Sequence, residues 1–412
     1  MSIQMVANHA LRPLEDDVIF GIAARAAQTE AKIGKENVVN STIGSLLEDD
    51  GKLVAFKSVY DELKSLEDVK IANYAGIAGL PEFLDAVVED CFGKYKPEGY
   101  IKAVATPGGS GAIRHAVYNY TDMGGNVLTS DWYWEPYKTI CDEYDRKFNT
   151  YTLFDDNGGF NHADFQATAD RLLSENGRLV IIINTPAHNP TGFTVSDGDW
   201  DKILTYLKSK AEDKSKRITV LCDVAYIDFA GEGKRSFFTK LSHLPENILM
   251  LVAYSASKSY TMYGLRNGAI ICIAPNEDIA TEFLASCMHS NRGSWSNGTR
   301  CAMQTFVNIN TDPAKRARFD EERAHYASLL KTRAEAFMNG CKDCGLKTTN
   351  YCGGFFVSVP TPKTHEVCEE LIKSNVYTVP LRKGIRLALC AISEEKAAKI
   401  PSLIKKSLES VE

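Results

Sequence analysis

Ile248-Leu-Met-Leu-Val-Ala253 is an apolar run of strand length, and Ser255-Ala-Ser-Lys258-Ser-Tyr-Thr-Met-Tyr-Gly-Leu-Arg266 follows it along the chain. Three other runs, 178–184, 218–223 and 269–274, have the same apolar character. Short apolar runs that alternate with helical patterns are typical of parallel strands covered by helices on both faces. The sequence therefore predicts an α/β fold with a mostly parallel sheet.

Asp223 and Lys258 are candidate functional residues because each lies at the end of one of these strands. Ligands of open α/β sheets bind beyond the carboxyl ends of the strands, so we expect the two side chains to share a site. A lysine amine has the chemistry to form a Schiff base with an aldehyde cofactor such as pyridoxal 5'-phosphate (PLP), and a carboxylate can keep its pyridine nitrogen protonated. Taken singly, a lysine after a strand is more often a solvated surface residue, and an aspartate there a turn former.

The overall composition excludes several classes of protein. The chain has 412 residues, of which 44% are hydrophobic and 24% are charged, as is usual for a globular protein of two or three domains. Its formal net charge of -6 gives no attraction to nucleic acid or to an anionic membrane. No apolar run approaches the ~20 residues of a membrane span. We therefore predict small-molecule partners, with neither nucleic acid nor a membrane among them.

The cysteines indicate a reducing compartment. There are eleven, an odd number, and they are scattered along the chain, which fits free thiols better than a disulfide framework. The N-terminus lacks the basic-then-apolar pattern of a signal peptide, so we predict a cytoplasmic protein. Cys341 and Cys344 form a lone CxxC without a second pair or suitably spaced histidines, so we predict no metal site.

Three further motifs accompany predicted strands and helices. Pro107-Gly-Gly-Ser-Gly-Ala-Ile-Arg114 is a glycine-rich turn that opens a helix, where backbone amides can approach an anion. Asn184-Thr-Pro-Ala-His-Asn189-Pro-Thr-Gly192 follows a strand and presents the Asn189 amide at a tight loop. In Asp223-Val-Ala-Tyr226, a tyrosine follows the carboxylate by three residues. Each motif alone is more often structural than functional.

Together and in this order, the motifs resemble those of the class I aminotransferases, a group of fold-type I PLP-dependent enzymes. The match extends from about Asn40 to Arg386. More narrowly, the chain resembles the aspartate and aromatic aminotransferases of this group. The resemblance implies PLP as cofactor. It also implies ping-pong transfer of the α-amino group between an L-amino acid, aspartate or aromatic or both, and a 2-oxo acid such as 2-oxoglutarate.

The resemblance further implies roles for individual residues. Lys258 matches the lysine that forms the Schiff base and moves the substrate proton, and Asp223 matches the carboxylate paired with the pyridine nitrogen. The implied catalytic residues are Lys258, Asp223 and Tyr226. The implied cofactor-binding residues are Gly109, Ser110, Trp134, Asn189, Asp223, Tyr226, Ser255, Lys258, Arg266 and Tyr74. The implied substrate-binding residues are Gly44, Asn189, Arg292 and Arg386.

Several of these roles are specific to one part of the ligand. Gly109, Ser110, Ser255 and Arg266 match the phosphate site, and Asn189 and Tyr226 match the pair at the phenolic oxygen. Arg386 matches the arginine that binds the substrate α-carboxylate, and Gly44 lies in the family's mobile substrate loop. Trp134 is favoured over Trp132 as the aromatic residue that stacks on the cofactor, because of its spacing to Pro136 and Tyr137.

Two residues imply a homodimer with shared active sites. Tyr74 matches a tyrosine that reaches the phosphate in the neighbouring subunit. Arg292 matches an arginine that the partner supplies to the distal carboxylate of a dicarboxylic substrate. This segment departs from the family pattern, since Trp295 replaces a tyrosine and residues 298–299 replace prolines. Arg292 could therefore be a solvated residue at a helix end instead.

The resemblance implies a large PLP-binding domain with a mostly parallel seven-stranded sheet, and a smaller α+β domain built from both termini. We expect an N-terminal segment, 1–50, that joins the small domain, a large domain at 51–310 and a small domain at 311–412. A long amphipathic helix over 316–339 begins the last part.

Two other enzyme classes share part of this sequence pattern. A PLP-dependent carbon–sulfur β-lyase of the same fold is the alternative activity. A serine hydrolase with the S-x-x-K motif is the other, but it would need S-D-N and K-T-G motifs that the chain lacks after Lys258.

Overall fold

The computed structural model describes residues 4–13 and 18–411, so residues 1–3 and 14–17 of the predicted N-terminal segment, and residue 412, lie outside it. The strands are β1 (Val39–Asn40), β2 (Tyr100–Pro107), β3 (Asn126–Ser130), β4 (Lys147–Tyr151), β5 (Arg178–Asn184), β6 (Arg217–Asp223), β7 (Ile248–Ser255), β8 (Asn267–Ala274), β9 (Phe356–Pro360), β10 (Val376–Tyr377), β11 (Val379–Pro380) and β12 (Gly384–Ala388).

The helices surround these strands. They are α1 (Val18–Ile33), α2 (Lys57–Lys64), α3 (Asp68–Ala72), α4 (Pro81–Phe92), α5 (Gly108–Tyr120), α6 (Pro136–Glu143), α7 (His162–Asn176), α8 (Asp197–Lys210), α9 (Ala256–Ser259), α10 (Glu277–Ser294), α11 (Arg300–Thr311), α12 (Pro313–Cys344), α13 (Thr364–Ile372) and α14 (Glu394–Val411). In the part of the chain that the structure describes, none of them is both long and apolar enough to cross a membrane.

The larger sheet has seven strands in the order β2-β8-β7-β6-β5-β3-β4. Neighbouring strands pair in parallel from β7 to β4, whereas β8 is antiparallel to both β2 and β7. Only residues 256–266 connect β7 to β8, which is too short for the crossover that a parallel pair requires. The predicted seven-stranded, mostly parallel sheet of an α/β fold is confirmed.

Helices cover this sheet on both faces, which explains why its central strands β5, β6, β7 and β8 are mostly apolar. In β5, Val180 and Ile182 belong to the buried cluster that includes α5, whereas Ile181 and Ile183 belong to the buried cluster that includes α7. Side chains that alternate between two buried faces leave no position for a polar residue until the strand ends. Polar residues such as Asn184 and Asp223 therefore collect at the carboxyl edge of the sheet.

Two smaller sheets lie in the C-terminal part. β11, β12 and β9 form an antiparallel sheet, in which Arg386 pairs with both Val379 and Ser358. β1 pairs with β10 in parallel, so the chain after α1 is joined to the C-terminal part.

The long helix α12 begins three residues earlier and ends five residues later than predicted. The Asp312 side chain accepts hydrogen bonds from the N–H groups of Ala314 and Lys315, at 2.9 and 3.2 Å, and Pro313 occupies the first turn. Gly345, with φ of 69°, ends the helix in the left-handed conformation that glycine adopts readily.

Candidate active site

A cavity of about 150 Å³ lies at the carboxyl edge of the large sheet. Its lining comes from the ends of β5, β6 and β7, from the start of α5, and from the connections that follow these strands. The lining residues are Gly109, Ser110, Ile113, Trp134, Asn184, Asn189, Asp223, Ala225, Tyr226, Ser255, Ser257, Lys258 and Arg266. The structure thus brings together every residue predicted to contact the cofactor except Tyr74.

Lys258 supplies the amine of this cavity. It lies on α9, one short turn beyond the buried strand β7. Burial lowers the pKa of the Lys258 amine to about 8. Its Nζ atom lies 4.9 Å from the ring centroid of Tyr263 and 5.8 Å from that of Tyr226. The amine is therefore substantially neutral at a pH where an ordinary lysine is a cation.

Asp223 ends β6 and faces Lys258 across the cavity lining. Its Oδ2 atom accepts a 2.5 Å hydrogen bond from the hydroxyl of Tyr137, and its Oδ1 atom accepts one from the N–H of Ala225 at 3.2 Å. Burial raises the pKa of the Asp223 carboxyl group, and these hydrogen bonds oppose that effect. A cationic ligand atom beside the carboxylate would offset the cost of burying its charge.

The opposite end of the cavity is shaped for close approach of a ligand to the backbone. Gly108 has φ of 66°, and a Cβ atom there would lie 2.7 Å from Nη2 of Arg266. Arg266 donates hydrogen bonds to the carbonyl groups of Tyr263 and Pro107, at 2.9 and 3.3 Å. The N-terminal N–H groups of α5, the Ser255 hydroxyl group and this guanidinium form a place for an anion.

Asn189 connects the cavity to Arg386. Its Nδ2 atom donates to the hydroxyl of Tyr226 at 3.5 Å, and its Oδ1 atom accepts from Nη1 of Arg386 at 3.4 Å. The buried Arg386 guanidinium also donates to the carbonyl of Thr42 at 2.7 Å and lies 4.4 Å from the ring centroid of Phe356. The predicted carboxylate-binding arginine is therefore adjacent to the cavity and to the segment that carries Gly44.

Gly44 and Trp134 both lie close to the cavity or to residues beside it, and their roles stay predictions. A Cβ atom at Gly44 would lie 2.4 Å from the ring of Phe356, so the substrate-loop segment packs directly on that ring. Trp134 lines the cavity, whereas the buried Trp132 packs against Gly384 instead.

Tyr74 and Arg292 lie outside the cavity of their own chain. Tyr74 is 82% exposed, and its carbonyl accepts a 2.9 Å hydrogen bond from Arg300. Arg292 is exposed and donates to the hydroxyl of Ser296 at 2.7 Å. Both positions agree with residues that act in a neighbouring subunit, and their roles stay predictions. Trp295, which departs from the family pattern, stacks on His115 with ring centroids 4.9 Å apart.

Several residues of the site were missed by the sequence analysis. Tyr137 and Asn184 hold Asp223, since Nδ2 of Asn184 donates to the Asp223 carbonyl at 3.1 Å. Ser257 accepts from Nη1 of Arg266 at 3.3 Å, and Tyr263 faces Lys258. The Asn184 and Ser257 side chains stand at strand ends or one turn beyond, so the rule that identified Asp223 and Lys258 would have found them.

Among the residues that the structure describes, the cysteines and other side chains that can bind metals form no metal site. All eleven cysteines are free thiols, including Cys341 and Cys344. Across residues 4–13 and 18–411, no three His, Cys, Asp or Glu side chains are grouped in a way that would hold a metal ion.

Comparison with known proteins agrees with this arrangement. The chain is 40% identical to an aminotransferase from Anaerococcus prevotii DSM 20548 whose crystal structure is known, with a TM-score of 0.97 and complete coverage of both chains. It is 26% identical to the aspartate aminotransferase of Escherichia coli strain K12 over 80% of this chain and 82% of that protein. An aromatic-amino-acid aminotransferase from Burkholderia pseudomallei, solved covalently bound to pyridoxal phosphate, has the same fold, with a TM-score of 0.78 at 21% identity and coverage of 98% and 100%. The profile of the family "aminotransferase class I and II" matches residues 36–401, and the chain therefore belongs to that family.

Proposed function

We propose that this aminotransferase binds PLP in the cavity beside Lys258 and transfers the α-amino group between an L-amino acid, aspartate or aromatic or both, and a 2-oxo acid such as 2-oxoglutarate. The observation that carries the proposal is the placement of an amine of lowered pKa, a buried carboxylate and an anion-binding end in one cavity. The names of the relatives support transamination, and none of them favours the β-lyase alternative.

The side chains of the cavity fit PLP. The place of a Cβ at Gly108 is taken up by the Arg266 guanidinium, so only glycine leaves this cradle open. Gly109, Ser110, Ser255 and Arg266 would hold the phosphate group, and Asp223 would pair with the ring nitrogen. Trp134 would stack on the ring, and Asn189 and Tyr226 would bind the phenolic oxygen.

When bound, PLP supplies an aldehyde that takes up the amino group and a ring that accepts electron density from the substrate α-carbon. Lys258 then acts as the general base, because its Nζ atom is neutral over a large part of the range around pH 8. The Nζ atom of Lys258 would take up the proton from the substrate Cα and hold it until it is returned. Tyr226 and Tyr263, whose rings lie near Nζ, restrict where the amine can swing.

Asp223 would pair with the ring nitrogen and favour its protonated form. Its carboxylate is oriented by Tyr137 and by the Ala225 N–H, each of which occupies one acceptor site on a different oxygen, and the residue lines the cavity. Because the Asp223 carboxylate is buried and little exposed to solvent, a positive charge on the ring nitrogen beside it would be favoured. The proposal predicts that Asp223→Ala retains PLP and loses most of its turnover.

Arg386 orients the substrate. A guanidinium binds a carboxylate through two parallel hydrogen bonds, which fixes the substrate Cα relative to Lys258. Asn189, which already contacts both Arg386 and Tyr226, would hold the carboxylate from the side of the cofactor. Arg292, supplied by a second subunit, would bind the distal carboxylate of aspartate or glutamate.

The test is the absorbance spectrum of the PLP-loaded protein before and after aspartate, glutamate, tyrosine or phenylalanine is added singly. We expect the absorbance of the aldehyde form to be replaced by that of pyridoxamine phosphate, and the order of effectiveness to identify the donor. Lys258→Ala should bind PLP without this conversion. A spectrum that none of the four changes, with pyruvate released from a cysteine conjugate in the absence of a 2-oxo acid, would favour the lyase.

We also propose the organisation of the whole protein. The pairing of β1 with β10 supports an N-terminal segment, 1–50, that belongs with a small domain at 311–412, beside a large domain at 51–310. The positions of Tyr74 and Arg292 support a homodimer with shared sites. The free thiols support a cytoplasmic location.

A further inference from the structure

The turn between β11 and β12 is joined to the loop that carries Trp134. Lys383, in this turn, forms an ion pair through Nζ with Oδ2 of Asp131, which lies directly after β3. The Asp131 side chain is only 9% exposed, whereas that of Lys383 is 40% exposed. The carboxylate is fixed on its other side, because Oδ1 accepts from the N–H of Leu153 at 3.0 Å.

A second contact lies beside this ion pair. Gly384 packs against the ring of the buried Trp132 so closely that a Cβ atom would lie 2.7 Å from Cη2. Two consecutive residues, one at the end of the turn and one at the start of β12, therefore meet two consecutive residues of the loop: Lys383 meets Asp131, and Gly384 meets Trp132. The contact joins a segment from the large sheet to one from the small antiparallel sheet.

Both segments lead directly into the candidate active site. Trp134, two residues after Trp132, lines the cavity, and Arg386, two residues after Gly384, is the predicted carboxylate-binding arginine. Residues two apart on a strand share a face, so the face of β12 that meets Trp132 is also the face from which Arg386 projects. A change in the distance between turn and loop would displace the guanidinium relative to the cavity.

We propose that Lys383 is a positioning residue: its ion pair with Asp131 holds the β11–β12 turn against the 131–134 loop and thereby places Arg386 for the substrate α-carboxylate. The inference rests on the proposed function of Arg386. Lys383 itself does not line the cavity.

The kinetic test uses the PLP-loaded enzyme with L-aspartate and 2-oxoglutarate. Lys383→Met should raise the KM for aspartate by about twofold to fivefold, as expected for a half-exposed ion pair, with kcat changed less than about twofold. A displaced Arg386 weakens binding of the substrate and of the transition state alike, which is why KM changes and kcat does not. Lys383→Arg should retain the wild-type KM.

A double-mutant cycle separates the ion pair from other effects. Asp131→Asn keeps an acceptor for the Leu153 N–H and removes the charge, and it should raise KM to a similar extent. Adding Lys383→Met to Asp131→Asn should have little further effect. Lys240→Met, which removes a 2.7 Å ion pair with Asp201 elsewhere in the chain, is the matched control and should leave KM unchanged.

A second measurement does not depend on activity. Hydrogen exchange of the protein without PLP should become faster in Lys383→Met at 379–388 and at 130–136, and not around Lys240. Unchanged exchange in these segments, or KM effects that multiply in the double variant, would overturn the positioning role. If the wild-type enzyme fails to transaminate, the exchange result still decides whether the ion pair holds the two segments together.

Discussion

At the scale of single residues, the pKa of Lys258 gives a direct prediction. Burial lowers the pKa to about 8, so the neutral fraction of the amine rises with pH from about one tenth at pH 7 to about nine tenths at pH 9. Only the neutral amine attacks an acylating reagent. In the protein freed of PLP, labelling of Lys258, followed by peptide mass spectrometry, should therefore increase with pH and level off above about pH 9.

The pH midpoint of Lys258 labelling also shows when this prediction is wrong. The labelling of an exposed amine would continue to rise until the pH passes the usual lysine pKa of 10.5. A labelling midpoint near that pH would therefore show that burial does not lower the pKa of Lys258. The Lys258→Ala variant supplies the background, since every other lysine remains in place.

His115 gives a second prediction at this scale. The ring is fully buried and hydrogen bonds through Nε2 to Oδ1 of Asn291 at 2.8 Å, while Nδ2 of Asn291 donates to the carbonyl groups of Ile77 and Ala105. Asn291 Oδ1 is thus the acceptor, and His115 carries its proton on Nε2. Burial lowers the pKa of His115 to about 4, with the cation of Arg114 acting in the same direction.

The stability of the protein should therefore depend on His115 below neutral pH. Because the folded-state pKa is below the usual 6.5, the unfolded chain binds more protons between these values, and stability falls as pH decreases through this window. Between pH 7 and pH 5 this residue alone should cost about 2 kcal/mol. His115→Gln should show a correspondingly smaller loss in urea unfolding, and equal losses in the two proteins would exclude His115 as the cause.

At the scale of elements, the start of α5 forms the end of the cavity where we propose that the phosphate binds. Gly108→Ala would force a left-handed φ of 66° on alanine and place its Cβ 2.7 Å from Arg266. We expect the Kd for PLP to rise by about tenfold or more, measured by titration of the protein with PLP. Gly124→Ala is the matched control, since φ is 68° and its Cβ has open space.

The two glycines separate backbone strain from collision. Each alanine should cost about 1 kcal/mol of stability through the left-handed conformation. Only the change at Gly108 should weaken PLP binding. If the two variants bind PLP equally well, the close approach of Gly108 to Arg266 has no part in holding the phosphate.

Individual strands of the large sheet could be predicted from the sequence, but the order of the strands in the sheet could not. Apolar runs in the sequence predicted strands β5, β6 and β7. Asp223 and Lys258 stood out as polar residues that end or follow these runs, because a strand buried on both faces has no other place for polar side chains. The hydrogen bond from Tyr137 to Asp223 was missed. It depends on β3 and β6 being two strands apart in the sheet, and strand order is not encoded in any local pattern.

The same reasoning explains the other omissions. The antiparallel direction of β8 follows from the short connection at 256–266, a signal that was present in the sequence and not used. The ion pair between Lys383 and Asp131 joins residues more than two hundred positions apart, each of which alone resembles an ordinary surface charge. Local spacing favoured Trp134 over Trp132, and Trp134 is the one of the two that lines the cavity; its stacking on the cofactor stays a prediction.

At the scale of the whole molecule, the division of site residues between chains is the property still to be tested. The cavity takes Lys258, Asp223 and the phosphate-end residues from one chain, with Arg386 beside it. Tyr74 and Arg292 of the same chain lie outside it. In a two-fold symmetric dimer each interface patch occurs twice, so a residue on that patch of one chain is available to the site of the other.

Mixed dimers of two inactive variants test this division. When Lys258→Ala and Arg292→Ala chains are unfolded and refolded together, one site of each hybrid should carry both changes and the other neither. Since half of the dimers are hybrids with one intact site in two, activity toward aspartate should return to about a quarter of the wild-type value. The control mixes Lys258→Ala with Arg386→Ala, which both belong to the chain's own site, so that neither site of the hybrid is intact. Equal activity in the two mixtures would show that Arg292 does not act across the dimer, whereas recovery in the first mixture alone would assign it to the partner's site.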